Sequence, residues 1–249
     1  RRRAAPGPPA PVGSAALFAA RRSEFVRLIN AHAAHVFAVS DRMAEMASAY
    51  GIAPDRLVVR RIGTDQAPLW EATPPPARLP RPDGTLGLAF LGYARPDKGF
   101  PFLLDALERM APDHLARLHL TLAAVLRDRR SRARLAALAP RLASLRHFDG
   151  YARDDLGDVL AGVDLGVVPG LWEDPLPQVA LEMHARRIPL LTSDRGGARE
   201  LGRFPPLVFP AGDARALQTR LAEALSGLDL APYWAAARPP PTVAAHVDA

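Results

Sequence analysis

The 249-residue chain contains no cysteine, and among its 32 Lys and Arg residues a single one, Lys98, is lysine. Without cysteine there are no disulfides, thiolate nucleophiles or cysteine-held metals within the chain, and a reducing compartment suits it. Also missing is any apolar run approaching the roughly 20 residues that a membrane span requires, because Arg, Asp or Pro interrupts each one. These absences lead to the expectation of a soluble, cytoplasmic protein. The formal net charge is +6, yet the basic residues are scattered and many neighbour Asp or Glu, which argues against a nucleic-acid partner. Lys98 is then a residue to follow, although one lysine can survive by chance.

What is present is an ordinary balance of 49% hydrophobic and 23% charged residues, enough to bury one large core or two modest ones. The chain opens Arg1-Arg2-Arg3 and continues through Pro6, Pro8, Pro9 and Pro11, so residues 1–13 read as a disordered cut end and not as a secretory signal. Apolar spacing then predicts a helix over Ser14–Ala31, a strand over His35–Val39, a helix over Asp41–Tyr50 capped by Ser40, and a strand over Leu57–Val59. The proline-rich stretch Thr73–Asp83 reads as a stiff connection, which places a linker at 73–85.

Beyond the linker, strand and helix alternate six times: Leu86–Leu91 with Phe100–Met110, Leu118–Val125 with Arg129–Ala139, Arg146–Phe148 with Asp154–Ala161, Asp164–Val168 with Leu176–Arg186, Pro189–Thr192 with Gly197–Leu201, and Leu207–Phe209 with Asp213–Leu225. Near-continuous apolar strands between amphipathic helices define an α/β class, a Rossmann-like doubly wound parallel sheet over residues 86–226. Ligands of such sheets bind at the carboxyl ends of the strands. The Pro- and Ala-rich residues 227–249 are expected to form a mobile tail.

Three strand ends carry candidate chemistry. The first runs Gly92-Tyr93-Ala94-Arg95-Pro96-Asp97-Lys98-Gly99 into a helix, a pattern that offers free backbone N–H groups to an anion, with Lys98 as a point charge and Arg95 as a planar fork. The plain alternative is a solvated turn in which Lys98 pairs with Asp97 or Asp105. The second holds Asp174 just before a helix and Glu182 within it; eight helical residues span about 12 Å, which suits opposite ends of an extended ligand. Helix capping by Asp174 and a salt bridge from Glu182 to Arg186 are the alternatives. The third, Thr192 to Glu200, places Gly196 and Gly197 before a helix and serves a ligand or simply a tight turn. Tyr151, after another strand end, flanks a base in one reading and is a rim or core tyrosine in the other.

These residues resemble family 4 glycosyltransferases of the GT-B fold, over roughly Ala20 to Leu225. The family's strand-Gly-Arg-x-x-x-x-Lys-Gly is similar to Phe90–Gly99, with Lys98 aligned and Tyr93 in the place of the arginine, so Arg95 is expected to supply the missing charge. The family's paired acids resemble Asp174 and Glu182, with Glu173 one position off the register. The resemblance implies a nucleotide-sugar donor (a UDP-, GDP- or ADP-hexose), its ribose on Glu182, its sugar on Asp174 or Glu173, and its diphosphate near Gly92, Arg95 and Lys98. Pro177 replaces a phosphate-facing glycine and has no N–H, which passes that contact to Leu176 and Gln178.

It further implies retaining, metal-independent hexosyl transfer without a cofactor or a protein base; no Asp-x-Asp motif occurs. Residues 14–72 then correspond to the end of an acceptor-side domain. The expectation is a fragment whose missing part binds an unknown glycan, lipid or small-molecule acceptor and provides any peripheral membrane contact. The competing expectation is a non-catalytic sugar-nucleotide-binding domain.

Overall fold

A computed structural model describes residues 15–248; the expected disordered end, residues 1–13, lies outside the described residues. In chain order the elements are α1 (Ala15–His32), β1 (Val36–Ala38), α2 (Asp41–Ala49), β2 (Leu57–Val59), α3 (Leu69–Ala72), β3 (Arg78–Leu79), β4 (Leu86–Leu91), α4 (Phe100–Glu108), α5 (Pro112–Leu115), β5 (Leu118–Ala123), α6 (Arg129–Leu138), β6 (Ser144–Phe148), α7 (Leu156–Val159), β7 (Leu165–Val168), α8 (Gln178–Ala185), β8 (Leu190–Ser193), β9 (Val208–Phe209), α9 (Ala214–Gly227), β10 (Leu228–Asp229), α10 (Ala231–Ala236) and α11 (Val243–Asp248). The main sheet is six-stranded in the order β6-β5-β4-β7-β8-β9, and every pairing in it is parallel.

All six residues of β4 are buried, as a central strand covered on both faces requires. The pleat divides them between two cores. Leu86, Leu88 and Phe90 join Phe100, Leu135 and Leu217 from α4, α6 and α9, whereas Ala89 and Leu91 join Leu156 and Leu181 from α7 and α8. Strand order reverses between β4 and β7, so the carboxyl ends of these two strands form the crevice where an open α/β sheet admits ligands.

Two elements are shorter than their apolar spacing suggests. The Asp154–Ala161 helix shrinks to α7, and the Gly197–Leu201 helix to a single 3₁₀ turn, Ala198–Glu200. No helix among the described residues is long and apolar enough to cross a membrane. The β1–β2 pair is a separate parallel ribbon, and α1 beside it buries none of its residues.

The tail expected to be mobile instead packs, and the proline-rich linker is tied to it. Arg78 and Leu79 pair antiparallel with Asp229 and Leu228, Leu230 N–H donates to Ala77 O at 2.9 Å, and Trp234 Nε1–H donates to Pro76 O at 2.8 Å. The reason is aromatic: Tyr233 is 1% exposed and Trp234 packs beside it, so burial outweighs the disorder suggested by the surrounding prolines.

Tyr233 also closes a buried polar chain. Its hydroxyl accepts from Leu190 N–H at 3.2 Å and faces His184 Nδ1 at 3.4 Å, while His184 Nε2 lies 3.0 Å from Arg238 O. A carbonyl only accepts, so Nε2 carries the proton and Nδ1 accepts from Tyr233. Burial holds this imidazole neutral, with its pKa pushed down to about 4. The unfolded chain therefore takes up a proton that the folded chain refuses as pH falls from about 6.5 to 4, and stability drops across that window by on the order of 3 kcal/mol. Urea midpoints measured from about pH 7 to pH 4 should fall accordingly, and His184→Gln should flatten the slope. A parent midpoint that ignores pH over this range contradicts the buried neutral imidazole.

Candidate functional site

The loops after β4, β7 and β8 meet at the carboxyl edge of the sheet by backbone contact. Gly99 has φ +76°, and a Cβ there would lie 1.8 Å from Pro169 O; at Gly196, φ is +67° and a Cβ would lie 2.1 Å from Asp174 O. Any other residue at either position forces the loops apart. Leu171 N–H donates to Asp97 O at 2.9 Å, and Gly197 N–H to Asp174 O at 3.0 Å. This interlock brings Lys98 onto Asp174 across 76 residues of sequence, with the lysine ammonium also 5.4 Å from the centre of the Trp172 ring. The first two motifs thus form one site. Lys98 pairs with neither Asp97 nor Asp105, which are held by Arg95 and Arg134.

Two cavities open here. The smaller, about 190 Å³, is lined by Phe90, Lys98, Val167, Val168, Trp172 and Asp174 among others. The wider, about 670 Å³, is lined by Ala124, Val125, Arg127, Gly150 and Tyr151, and it shares Gly92, Tyr93 and Val179 with the first. Together they make a groove along the ends of β4, β5, β6 and β7. Tyr151 has its phenol pushed up to about 12, by burial and then by the charge of Glu182. Burial likewise raises the Glu182 carboxyl, and the guanidinium groups of Arg153 and Arg186 only partly offset this. The salt bridge to Arg186 does not form; that arginine donates to Gln66 Oε1 at 2.7 Å.

Several other sequence candidates are engaged with groups of the protein itself. Arg95 lines the wider cavity, with its guanidinium held on Asp97 at 2.8 and 2.9 Å. Leu176 is buried in the core, and Gln178 lines the smaller cavity with its Nε2 donating to Gly63 O at 3.3 Å. Helix α8 begins at Gln178 without a side-chain cap, so Asp174 neither caps it nor stands one straight helix away from Glu182. Gly196 and Gly197 pack against Asp174 and Pro175 as spacers. Missed altogether was Trp172, a residue 47% exposed at the mouth; an aromatic residue amid prolines at a strand end was the available signal.

Glu173 and Glu200 bind the preceding segment and not the groove. Arg42 grips Glu173 at 2.7 and 3.0 Å, and Gly196 N–H donates to the same carboxylate at 2.8 Å. Its pKa falls to about 2, chiefly through Arg42. Glu200 accepts from Asp41 N–H at 2.9 Å, Arg42 N–H at 2.7 Å and Arg61 Nη2 at 3.0 Å. With Ser40 Oγ accepting from Met43 N–H, the first N–H groups of α2 are satisfied from two directions. Glu200→Ala should cost about 1–3 kcal/mol and speed amide exchange over residues 41–49 while leaving β4 protected. Unchanged exchange in α2 would show that Glu200 does not anchor this segment.

Comparison with known proteins follows the same division. A profile described as "Glycosyl transferases group 1" matches residues 85–227, more than half of the chain. No curated protein sequence matches. Among solved structures, Anabaena HepE in complex with UDP superposes with TM-score 0.62 at 19% identity, covering 84% of this chain and 58% of that one. A UDP-forming α,α-trehalose-phosphate synthase from Burkholderia vietnamiensis gives 0.63 at 21% identity, with 86% and 58% covered. The lipopolysaccharide outer core galactosyltransferase WaaB gives 0.63 at 18%, with 78% and 53% covered. The chain therefore spans less than three-fifths of these relatives. Through its match over residues 85–227, the chain belongs to the group 1 glycosyl transferases.

Proposed function

We propose that this chain holds the nucleotide-sugar donor in a retaining, metal-independent transfer of a hexose, with the acceptor brought by a further domain facing the groove. The observation that carries this reading is the meeting of Lys98 and Asp174 in a groove that continues to Tyr151, at the switch point of the sheet. The wider cavity takes the nucleoside, and Glu182, whose charge acts on Tyr151 in that wall though it does not itself line the cavity, accepts from ribose hydroxyls; among the described residues its carboxylate has no hydrogen bond or ion pair. The diphosphate lies over Gly92 and the uncapped start of α8, where Gln178 and Val179 N–H groups replace the contact that Pro177 cannot make. The sugar enters the smaller cavity beside Asp174.

The Lys98–Asp174 pair has two roles in this scheme. In the empty groove each neutralises the other; when the donor enters, the ammonium turns to the diphosphate and frees the carboxylate for a sugar hydroxyl. The solved structure of HepE with UDP and that of the UDP-forming synthase support a nucleotide at such a groove, as properties of those proteins. No side chain is assigned as a base, since donor phosphate itself can take the acceptor proton in a retaining transfer.

The test is calorimetric titration with nucleoside diphosphates and nucleotide-hexoses. Lys98→Ala should weaken diphosphate binding by about 1.5–3 kcal/mol, as for a lost charged hydrogen bond. Asp174→Asn should spare the free diphosphate and weaken only the sugar-bearing donor. Unchanged affinity in Lys98→Ala removes the lysine from the site, and absence of binding to UDP, GDP, ADP and their hexoses overturns the reading. Binding without transfer, in a protein that includes the acceptor domain, would identify a non-catalytic member instead.

A further inference from the structure

The polar side chains around the smaller cavity are already engaged inside the protein. Lys98 is on Asp174, Ser193 Oγ donates to Gly170 O at 2.7 Å, Gln178 Nε2 donates to Gly63 O at 3.3 Å, and Arg195 Nη1 reaches Glu173 at 3.3 Å. Among the described lining residues, Tyr93, 70% exposed at the mouth, and the Trp172 indole N–H stand outside this set. The other lining side chains include buried Phe90 and Val167 together with Val168 and Pro169. At about 190 Å³ the space is below the roughly 300–1,000 Å³ of sites for larger ligands, and it suits a single sugar ring.

From this, we propose that the cavity selects a donor sugar with a deoxygenated, methyl-bearing face, a 6-deoxyhexose, over a fully hydroxylated hexose. The inference rests on the donor-site reading above and adds the class of sugar. Asp174, once Lys98 has turned to the diphosphate, can serve hydroxyls on one side of the ring. A hydroxyl turned toward Phe90, Val167 and Val168 meets no side-chain donor or acceptor and loses its water, which penalises it. A methyl group in the same place gains contact with the same side chains and forfeits nothing. The Trp172 ring at the mouth gives the apolar C–H face of the sugar a flat surface to lie on.

Matched donors that differ by one oxygen test this: UDP-glucose, GDP-mannose, dTDP-glucose and ADP-glucose, each titrated beside its 6-deoxy counterpart and beside the free diphosphate. In the pair with the recognised base, the 6-deoxy donor should bind about tenfold more tightly, and Val168→Thr, which keeps the shape and adds a hydroxyl to the wall, should cut that ratio to about threefold or less. Equal or tighter binding of the hydroxylated donor overturns the inference, as does binding of the free diphosphate with neither sugar improving on it; in both cases the donor site itself stands. If none of the diphosphates binds, the donor-site reading fails as well.

Discussion

The site depends on backbone approaching backbone where side chains have no room. The Pro169 carbonyl occupies the place of a Cβ on Gly99, and the Asp174 carbonyl that of a Cβ on Gly196. These contacts fix three strand-end loops against one another at the point where the sheet reverses its strand order. Only with that spacing can Lys98, from the loop after β4, reach Asp174, from the loop after β7. A charge pair formed this way is held by the scaffold before any ligand arrives, which lowers the ordering cost that binding must meet.

Adjacent acids in the same loop have opposite duties. Glu173, bound by Arg42 and Gly196 N–H, fastens the loop to the segment carrying α2, while Asp174 faces the groove. On the far side of α8, His184, Tyr233 and the two tryptophans Trp70 and Trp234 pack as a cluster, with Arg187 3.5 Å above the Trp70 ring. Helix α8 is therefore clamped by the tail on one side and by the Gly63–Gln66 loop on the other. Its first turn and Glu182 are held in position by contacts distant from the groove. Local packing of this kind, and not the groove residues alone, sets where a diphosphate and a ribose would rest.

Much of this was legible in the sequence where one physical signal dominated. The six apolar strand runs and the position of the Lys98 and Asp174 motifs at the carboxyl ends of strands follow from burial and from strand-end chemistry. The failures occur where two signals compete. In the tail, prolines and alanines obscured Tyr233 and Trp234, whose burial decides the outcome. Arg95, read by its charge and its place in the motif, does line the wider cavity, but its guanidinium is on Asp97 two residues away. The alternative reading of Asp174 as a helix cap rested on a start of α8 at Leu176; Pro177 delays it to Gln178. The pairing of Glu173 with Arg42 spans 131 residues, and no local pattern announces it.

The central claim is that the ion pair between Lys98 and Asp174 marks the seat of a donor diphosphate. A crystal structure with a nucleoside diphosphate bound tests it most directly. The account predicts phosphate oxygens between Gly92 and the first N–H groups of α8, the Lys98 ammonium on the diphosphate and away from Asp174, and the base in the cavity beside Tyr151. A nucleotide bound elsewhere, or bound in the groove with the Lys98–Asp174 pair intact and the phosphates apart from it, would contradict it.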